Sequence, residues 1–126
     1  MSGPKLPQAT EPPRPAAASE RVALAQLARE GALSVEGVVS FSAGPSGIWI
    51  TADDSGRVPG VVAAALHDGG YGLSLHLVVR PVPLHALAER VRERVERNVA
   101  AAGLGGVLGP VDVSFEDVVS GAEDVV

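Results

Sequence analysis

Three histidines and a few acidic side chains are the residues whose chemistry could support catalysis or metal binding. The histidines are His67, His76 and His85. His67 and His76 belong to neighbouring segments that predict a hairpin, across which their imidazoles could approach each other. A metal centre needs three or four ligands in a shaped geometry. Asp53, Asp54 and Asp68 all occur in turn motifs that account for them without a metal. We therefore predict histidines on a solvent face, with no metal and no cofactor.

The same carboxylates do not form a convincing general acid–base pair. No nucleophile and no water-excluding pocket accompanies them, and aspartate next to glycine is typical of a turn. The glycine-rich stretch 103–106 also fails as a phosphate loop, because it follows a helix instead of opening one and lacks GxxxxGK[ST]. These observations predict no catalytic residues and a protein that is not an enzyme.

An arginine-rich run lies within the predicted long helix, and its charges are largely balanced. The run consists of Glu89, Arg90, Arg92, Glu93, Arg94, Glu96 and Arg97. Glu93 and Arg97 are four positions apart, a spacing that favours an ion pair on a helix surface. Two interpretations stay open, a solvated helix face and a docking face for a partner. Binding of nucleic acid is disfavoured by the net charge of -5 and by an aromatic content of 3%. A small RNA-binding module remains the alternative function.

The elements that position these residues follow the order α-β-(loop)-β-β-α-β. The clearest are a hairpin from Val61–His67 and Tyr71–Arg80, joined at Asp68-Gly69-Gly70, and an amphipathic helix over about 84–102. Val111–Val118 alternates as a final strand. We predict an α+β fold with an antiparallel or mixed sheet and two helices packed on one face.

Two further segments yield weaker patterns. Val35, Val39, Phe41 and Ala43 predict one apolar face of an early strand. Gly44-Pro45-Ser46-Gly47 ends that strand, and residues 47–60 contain the turn motif Asp53-Asp54-Ser55-Gly56. Within 47–60, Ile48-Trp49-Ile50 could form a brief strand. We expect a mobile loop there.

Composition divides the 126-residue chain into a foldable domain and two ends. Residues 1–18 are rich in proline and predict a disordered tail, 19–119 form one domain, and 120–126 predict a frayed acidic end. The chain has no cysteine, no apolar signal-peptide core and no run of ~20 apolar residues. We expect a cytoplasmic protein that does not insert directly into a membrane.

The order of these motifs resembles the alkaline shock protein family, the Gls-type envelope stress response proteins of bacteria. The residues that carry the resemblance are Val35-Glu36-Gly37-Val38-Val39-Ser40, Gly60-Val61-Val62, Tyr71–Val79, Leu84–Val99 and Val111-Asp112-Val113-Ser114-Phe115-Glu116-Asp117-Val118. No single motif is specific to the family, and the resemblance depends on the order of the motifs over about residues 22–118. The proline-rich start and the segment Gly44–Pro59 depart from the family pattern.

The resemblance implies a non-catalytic cytoplasmic protein linked to cell-envelope homeostasis and to alkaline or general stress. It also implies an adaptor or scaffold that a small membrane-anchored partner holds near the membrane, and self-association. From the residues themselves, the expected contact surfaces are an exposed strand face and the wet face of the long helix. The residues proposed for these surfaces are Ser74, His76, Arg90, Glu93 and Arg97.

Overall fold

The computed structural model describes residues 18–120, which form two α-helices, six β-strands and two single-turn 3-10 helices. In chain order the elements are α1 (Glu20–Leu33), β1 (Val38–Phe41), a 3-10 turn (Pro45–Gly47), β2 (Ile50–Asp53), β3 (Gly56–Pro59), β4 (Val61–Ala65), β5 (Tyr71–Val79), α2 (Leu84–Ala101), a 3-10 turn (Gly105–Val107) and β6 (Leu108–Val118). The predicted disordered tail and most of the predicted frayed end lie outside the described residues.

Strand β5 is the centre of the main sheet. Along one edge it pairs in parallel with β6, and along the other it pairs antiparallel with β4 and with β1. His76 joins these last two strands, because its N–H donates to Gly60 and its C=O accepts from Ser42. β1 and β4 therefore lie end to end as one interrupted edge strand, and the sheet is mixed.

The interruption between β1 and β4 is a β-hairpin, not the mobile loop that the sequence predicted. Strands β2 and β3 pair from Ile50 opposite Pro59 to Asp53 opposite Gly56, so the predicted turn at 53–56 is confirmed. The hairpin packs beside α1 and β4. Sequence patterns missed it because each strand has only four residues, too few to show a period.

Thr51 attaches this hairpin to the main sheet. Its hydroxyl donates to the C=O of Val61 at 2.8 Å and accepts from the N–H of Ala63 at 2.9 Å. These two backbone groups point away from β5 and make no hydrogen bond to it. The Thr51 hydroxyl therefore supplies the hydrogen bonds that this buried edge of β4 would otherwise lack. Thr51 is the one fully buried polar residue among those described, and both of its hydrogen-bonding roles are used.

Both helices cover the same face of the sheet, as predicted, and the α+β fold class is confirmed. The core consists of valine, leucine and alanine, with Leu73, Leu75, Leu77 and Val79 supplied by β5. Leu87, Val91, Val95 and Val99 form the buried stripe of α2. The helices approach closely at Gly31, where a Cβ would lie 3.4 Å from backbone atoms of α2.

The early strand differs from its prediction. β1 begins at Val38, and a bulge between Val38 and Ser40 shifts the alternation by one residue. Val39, predicted to share the apolar face with Phe41, is instead 39% exposed. A bulge depends on the partner strand, so alternation within one segment does not reveal it.

Candidate interaction surface

The face of the sheet opposite the helices carries the most distinctive side-chain arrangement. The buried leucines of β5 alternate with Ser74 and His76, which point to this other face, called here the outer face. The register places Ser74 beside Asp112 of β6 and beside Val62 of β4, and it places His76 beside Ser114. Neither helix packs on this face.

Trp49 lies on the outer face against His76. The two rings stack with centroids 4.1 Å apart and planes inclined by 6°. Trp49 reaches this position from the segment before β2, where its N–H donates to Ala43 and its C=O accepts from Gly60. Gly44 makes room for the indole, since a Cβ at Gly44 would come within 2.6 Å of the ring. The stack therefore depends on a glycine in the chain that leaves β1.

The edge of the His76 ring contacts an acidic side chain of β6. Nδ1 of His76 lies 2.9 Å from Oε2 of Glu116, and the Ser114 hydroxyl donates to the same oxygen at 2.6 Å. A carboxylate oxygen accepts, so Nδ1 of His76 is the donor in this hydrogen bond. The Ser114 hydroxyl first, and His76 second, hold the pKa of Glu116 below its ordinary value. We call Trp49, His76, Ser114 and Glu116 the histidine cluster.

The side chains of the histidine cluster are already engaged with one another. The imidazole is largely covered, with 13% of its side chain exposed, and its Nδ1 is already engaged by Glu116. Of the four residues in the histidine cluster, only His76 was predicted from the sequence as a contact residue. The alternation of Ser114 and Glu116 in the last strand was visible, but their position beside β5 required the parallel register.

The helix residues predicted for partner contact lie on the other side of the molecule. Glu93 and Arg97 form an i,i+4 ion pair at 3.6 Å with side chains 71% and 64% exposed, which confirms the predicted pairing. Arg90, Glu93 and Arg97 border an open groove of about 350 Å³ near the end of α1. The structure therefore separates the five predicted contact residues into two surfaces: Ser74 and His76 on one, and the three residues of α2 on the other.

The histidines do not converge. The hairpin register pairs Ala65 with Tyr71, so His67 lies in the turn, whereas His76 is five residues further along β5, about 17 Å at ~3.3 Å per residue. The idea that they approach across the hairpin is thus wrong. Between residues 18 and 120 no group of three or more histidine, aspartate or glutamate side chains could hold a metal ion.

The turn aspartates serve separate local roles. Asp68 accepts from the N–H of Gly70 at 3.1 Å within the β4–β5 turn. Asp53 accepts hydrogen bonds from the hydroxyls of Ser19 and Ser55, each at 2.6 Å, and from the Ser55 N–H at 2.7 Å. These bonds, led by that from Ser19, lower the pKa of Asp53 to about 2, and Arg21 adds a smaller attraction. Because Ser19 is the N-cap of α1, Asp53 fastens the tip of the β2–β3 hairpin to the start of that helix.

In the described part of the chain, no helix is both long enough and apolar enough to cross a membrane. No protein-family model and no curated protein matches the sequence. Among solved structures, one described as "MamM CTD M250L" is similar, with 19% sequence identity over 79% of this chain and 99% of that chain and a TM-score of 0.44. Similarity at this level assigns neither a family nor a function.

Proposed function

We propose that this domain is a non-catalytic protein-interaction module that docks a protein partner on its outer face. The observation that carries the proposal is the ordered histidine cluster on a sheet face that neither helix covers. Stacking and hydrogen bonds hold these side chains in one arrangement before any partner arrives. Preorganised aromatic and polar groups bind with little loss of conformational entropy, which favours a recognition role.

A protein partner suits this face better than a nucleic acid. Asp112, Ser114 and Glu116 lie along β6 on or next to the outer face, and the whole chain carries a net charge of -5. A phosphate backbone would meet repulsion there, because nucleic-acid binding depends on clustered positive charge. The exposed Ala64 and the half-buried Val62 supply apolar area at the same surface. Polar and apolar groups together are characteristic of protein interfaces.

We further propose that the partner belongs to the cytoplasmic side of a bacterial envelope. The support is the resemblance of the motif order to the alkaline shock protein family. In this proposal the domain acts as an adaptor or scaffold in envelope homeostasis and the response to alkaline or general stress. A small membrane-anchored protein would then hold it near the membrane.

Site-specific photo-crosslinking in the native host tests the outer face directly. A photoreactive residue replaces Ser74 in one variant and Ala101, exposed on α2, in a matched variant. We expect a discrete protein adduct from position 74, in the membrane-associated fraction, and none from position 101. Ser74→Glu in the otherwise native chain should prevent co-purification of the same protein, whereas Ala101→Glu should not.

Four results would contradict the proposal. Adducts from α2 alone would place the contact on the helix side, as would loss of the partner on reversing the charges of Glu93 and Arg97. Absence of any adduct from either position would remove the adaptor function. A salt-dependent shift with single-stranded RNA at physiological salt would instead support the RNA-binding alternative.

A further inference from the structure

A second surface, remote from the outer face, collects unbalanced positive charge. It consists of two adjoining grooves of about 300 and 350 Å³ that share Glu36 and Arg90, and we call it the arginine groove. Its charged residues are Glu36, Arg80, Arg90, Glu93, Arg94 and Arg97. Four guanidinium groups against two carboxylates leave a positive excess, although the whole chain has a net charge of -5. The groove is therefore a basic region on an acidic protein.

The arginine groove is long and narrow because it follows one face of α2. Arg90, Arg94 and Arg97 have i, i+4, i+7 spacing, which aligns them along the helix. At the other end the groove reaches Pro83, the N-cap of α2, and from Pro83 to Arg97 it extends about 21 Å at 1.5 Å per residue. An extended peptide of about six residues has this length at ~3.3 Å per residue.

Two of the four arginine side chains in the groove are already engaged. Arg94 donates to the Ser34 hydroxyl at 2.7 Å, and Arg97 forms the i,i+4 ion pair described above. The side chains of Arg80 and Arg90 make no hydrogen bond or ion pair among residues 18–120, and both are exposed. These two free guanidinium groups border the same part of the groove, so one ligand can contact both.

The surroundings of the free arginines indicate which anion suits them. Val82, half-buried, and the exposed Pro83 form an apolar wall beside Arg80 and Arg90. Glu36 lines the same part of the groove and has no side-chain partner in the described chain. A fitting ligand therefore combines anions for the guanidinium groups, an apolar group for the wall and an N–H donor for the carboxylate. An acidic peptide has all three, whereas a phosphodiester backbone lacks N–H donors and a bilayer surface does not enter a groove.

We propose that the arginine groove binds an extended acidic segment of a protein partner, different from the partner of the outer face. Carboxylates of the segment pair with Arg80 and Arg90, and one of its backbone N–H groups donates to Glu36. An apolar residue at one end of the segment packs on Val82 and Pro83. Exposed ion pairs are individually weak, so binding depends on several of them forming together with the apolar contact. With two separate surfaces, the domain can hold two proteins at once.

Fluorescence anisotropy with a defined peptide tests this occupant. The probe is a labelled peptide of two valines followed by four glutamates, added to the full chain at about 0.1 M salt, which screens charges more than ~10 Å apart. We expect saturable binding, and none for two valines followed by four lysines. Arg80→Glu and Arg90→Glu should each weaken binding at least about tenfold. Arg57→Glu makes the same charge change at an exposed site on β3 and should alter binding less than about twofold.

Photo-crosslinking locates the bound peptide. A benzophenone side chain in place of the first valine should label residues 80–90, identified by mass spectrometry of the digested adduct. Ser74→Glu, which tests the outer face, should leave peptide binding unchanged, so this proposal and the proposed function fail independently. Label on β6, no binding of the glutamate peptide, or equal losses for Arg57→Glu and Arg90→Glu would each overturn the proposal.

Three further outcomes would assign the groove to another occupant and overturn the proposal. The first is binding of vesicles containing phosphatidylglycerol that Arg90→Glu abolishes, when the peptide does not bind. The second is the same result with a single-stranded oligonucleotide. The third is self-association of the native chain, measured by analytical ultracentrifugation, that Arg90→Glu abolishes and the glutamate peptide does not compete with.

Discussion

The two faces of strand β5 differ sharply although they alternate along the same nine residues. On the inner face, Leu73, Leu75, Leu77 and Val79 are at most 1% exposed and contact the helices. On the outer face, His76 is held by a stack against Trp49 and a hydrogen bond to Glu116. The period of two in a strand thus places the apolar core and the histidine cluster on opposite faces of one segment.

The difference implies that substitutions on the two faces have different consequences. Inner-face changes act through apolar burial and cavity formation, so they reduce the free energy of unfolding. Outer-face changes alter the small histidine cluster, so under the proposed function they affect partner binding more than folding. The β2–β3 hairpin connects the two, because Thr51 lies in the interior while Trp49, two residues earlier, lies on the outer face.

The largest expected effect comes from Leu75→Ala. Leu75 is fully buried at the centre of β5, and truncating such a side chain loses transfer free energy and leaves a cavity. We expect a loss of about 3 kcal/mol in the free energy of unfolding, measured by urea denaturation. Its neighbour Ser74→Ala should change the same quantity by less than about 0.5 kcal/mol. Similar losses for both variants would break the distinction between the faces.

Thr51→Val should cause the second-largest loss in the free energy of unfolding. The substitution keeps the shape but leaves the Val61 C=O and the Ala63 N–H buried without partners. Unsatisfied buried groups of this kind cost about 1–3 kcal/mol, so we expect a loss of about 2 kcal/mol. Thr51→Ser, which keeps the hydroxyl, should recover most of it. Faster amide exchange at Ala63 in the valine variant alone would locate the effect at the edge of β4.

His76→Ala should have a smaller effect on stability, about 1 kcal/mol, because it removes an aromatic stack from a partly exposed site. Its specific signature is spectroscopic. Trp49 is the only tryptophan, so its emission reports directly on loss of the stack. We expect an altered emission maximum in the folded variant, while His85→Ala, exposed on α2, leaves it unchanged. Identical spectra for all three proteins would show that the stack does not form in solution.

The smallest expected effect is on the free energy of unfolding at acidic pH. The pKa of Asp53 is about 2 in the folded protein and about 4 in the unfolded chain, so its carboxylate stabilises the fold above about pH 4. This contribution disappears as the pH falls from about 4 to about 2. The difference in unfolding free energy between the native protein and Asp53→Asn should therefore narrow over that interval. A difference that does not change with pH would show that the charge of Asp53 does not contribute to stability over this interval.

Local patterns predicted the elements with strong periodicity. The amphipathic pattern over about 84–102 predicted a helix with one apolar face, and α2 buries that face as Leu87, Val91, Val95 and Val99. The segment Tyr71–Arg80 predicted a hairpin strand, and β5 buries its alternating leucines on the inner face. The turns at 53–56 and 68–70 were visible from residues that favour turn conformations. Each of these features depends on residues within a few positions of one another.

The histidine cluster required contacts that no local pattern contains. His76 and Glu116 are 40 positions apart, and they meet because β6 pairs in parallel with β5 after the crossover through α2. Trp49 reaches the same histidine because β2 and β3 leave the sheet between β1 and β4. A register shift of one residue would turn these side chains to the other face.

The sequence by itself determined which side chains of β5 and α2 are buried, because period and apolar character act within one element. Only the tertiary structure decided the neighbours of His76 and the interior role of Thr51. Strand order and register bring distant residues together, and both are set by how the whole core packs. The physical reason is that burial follows from composition along one segment, whereas a contact surface follows from the relative placement of several.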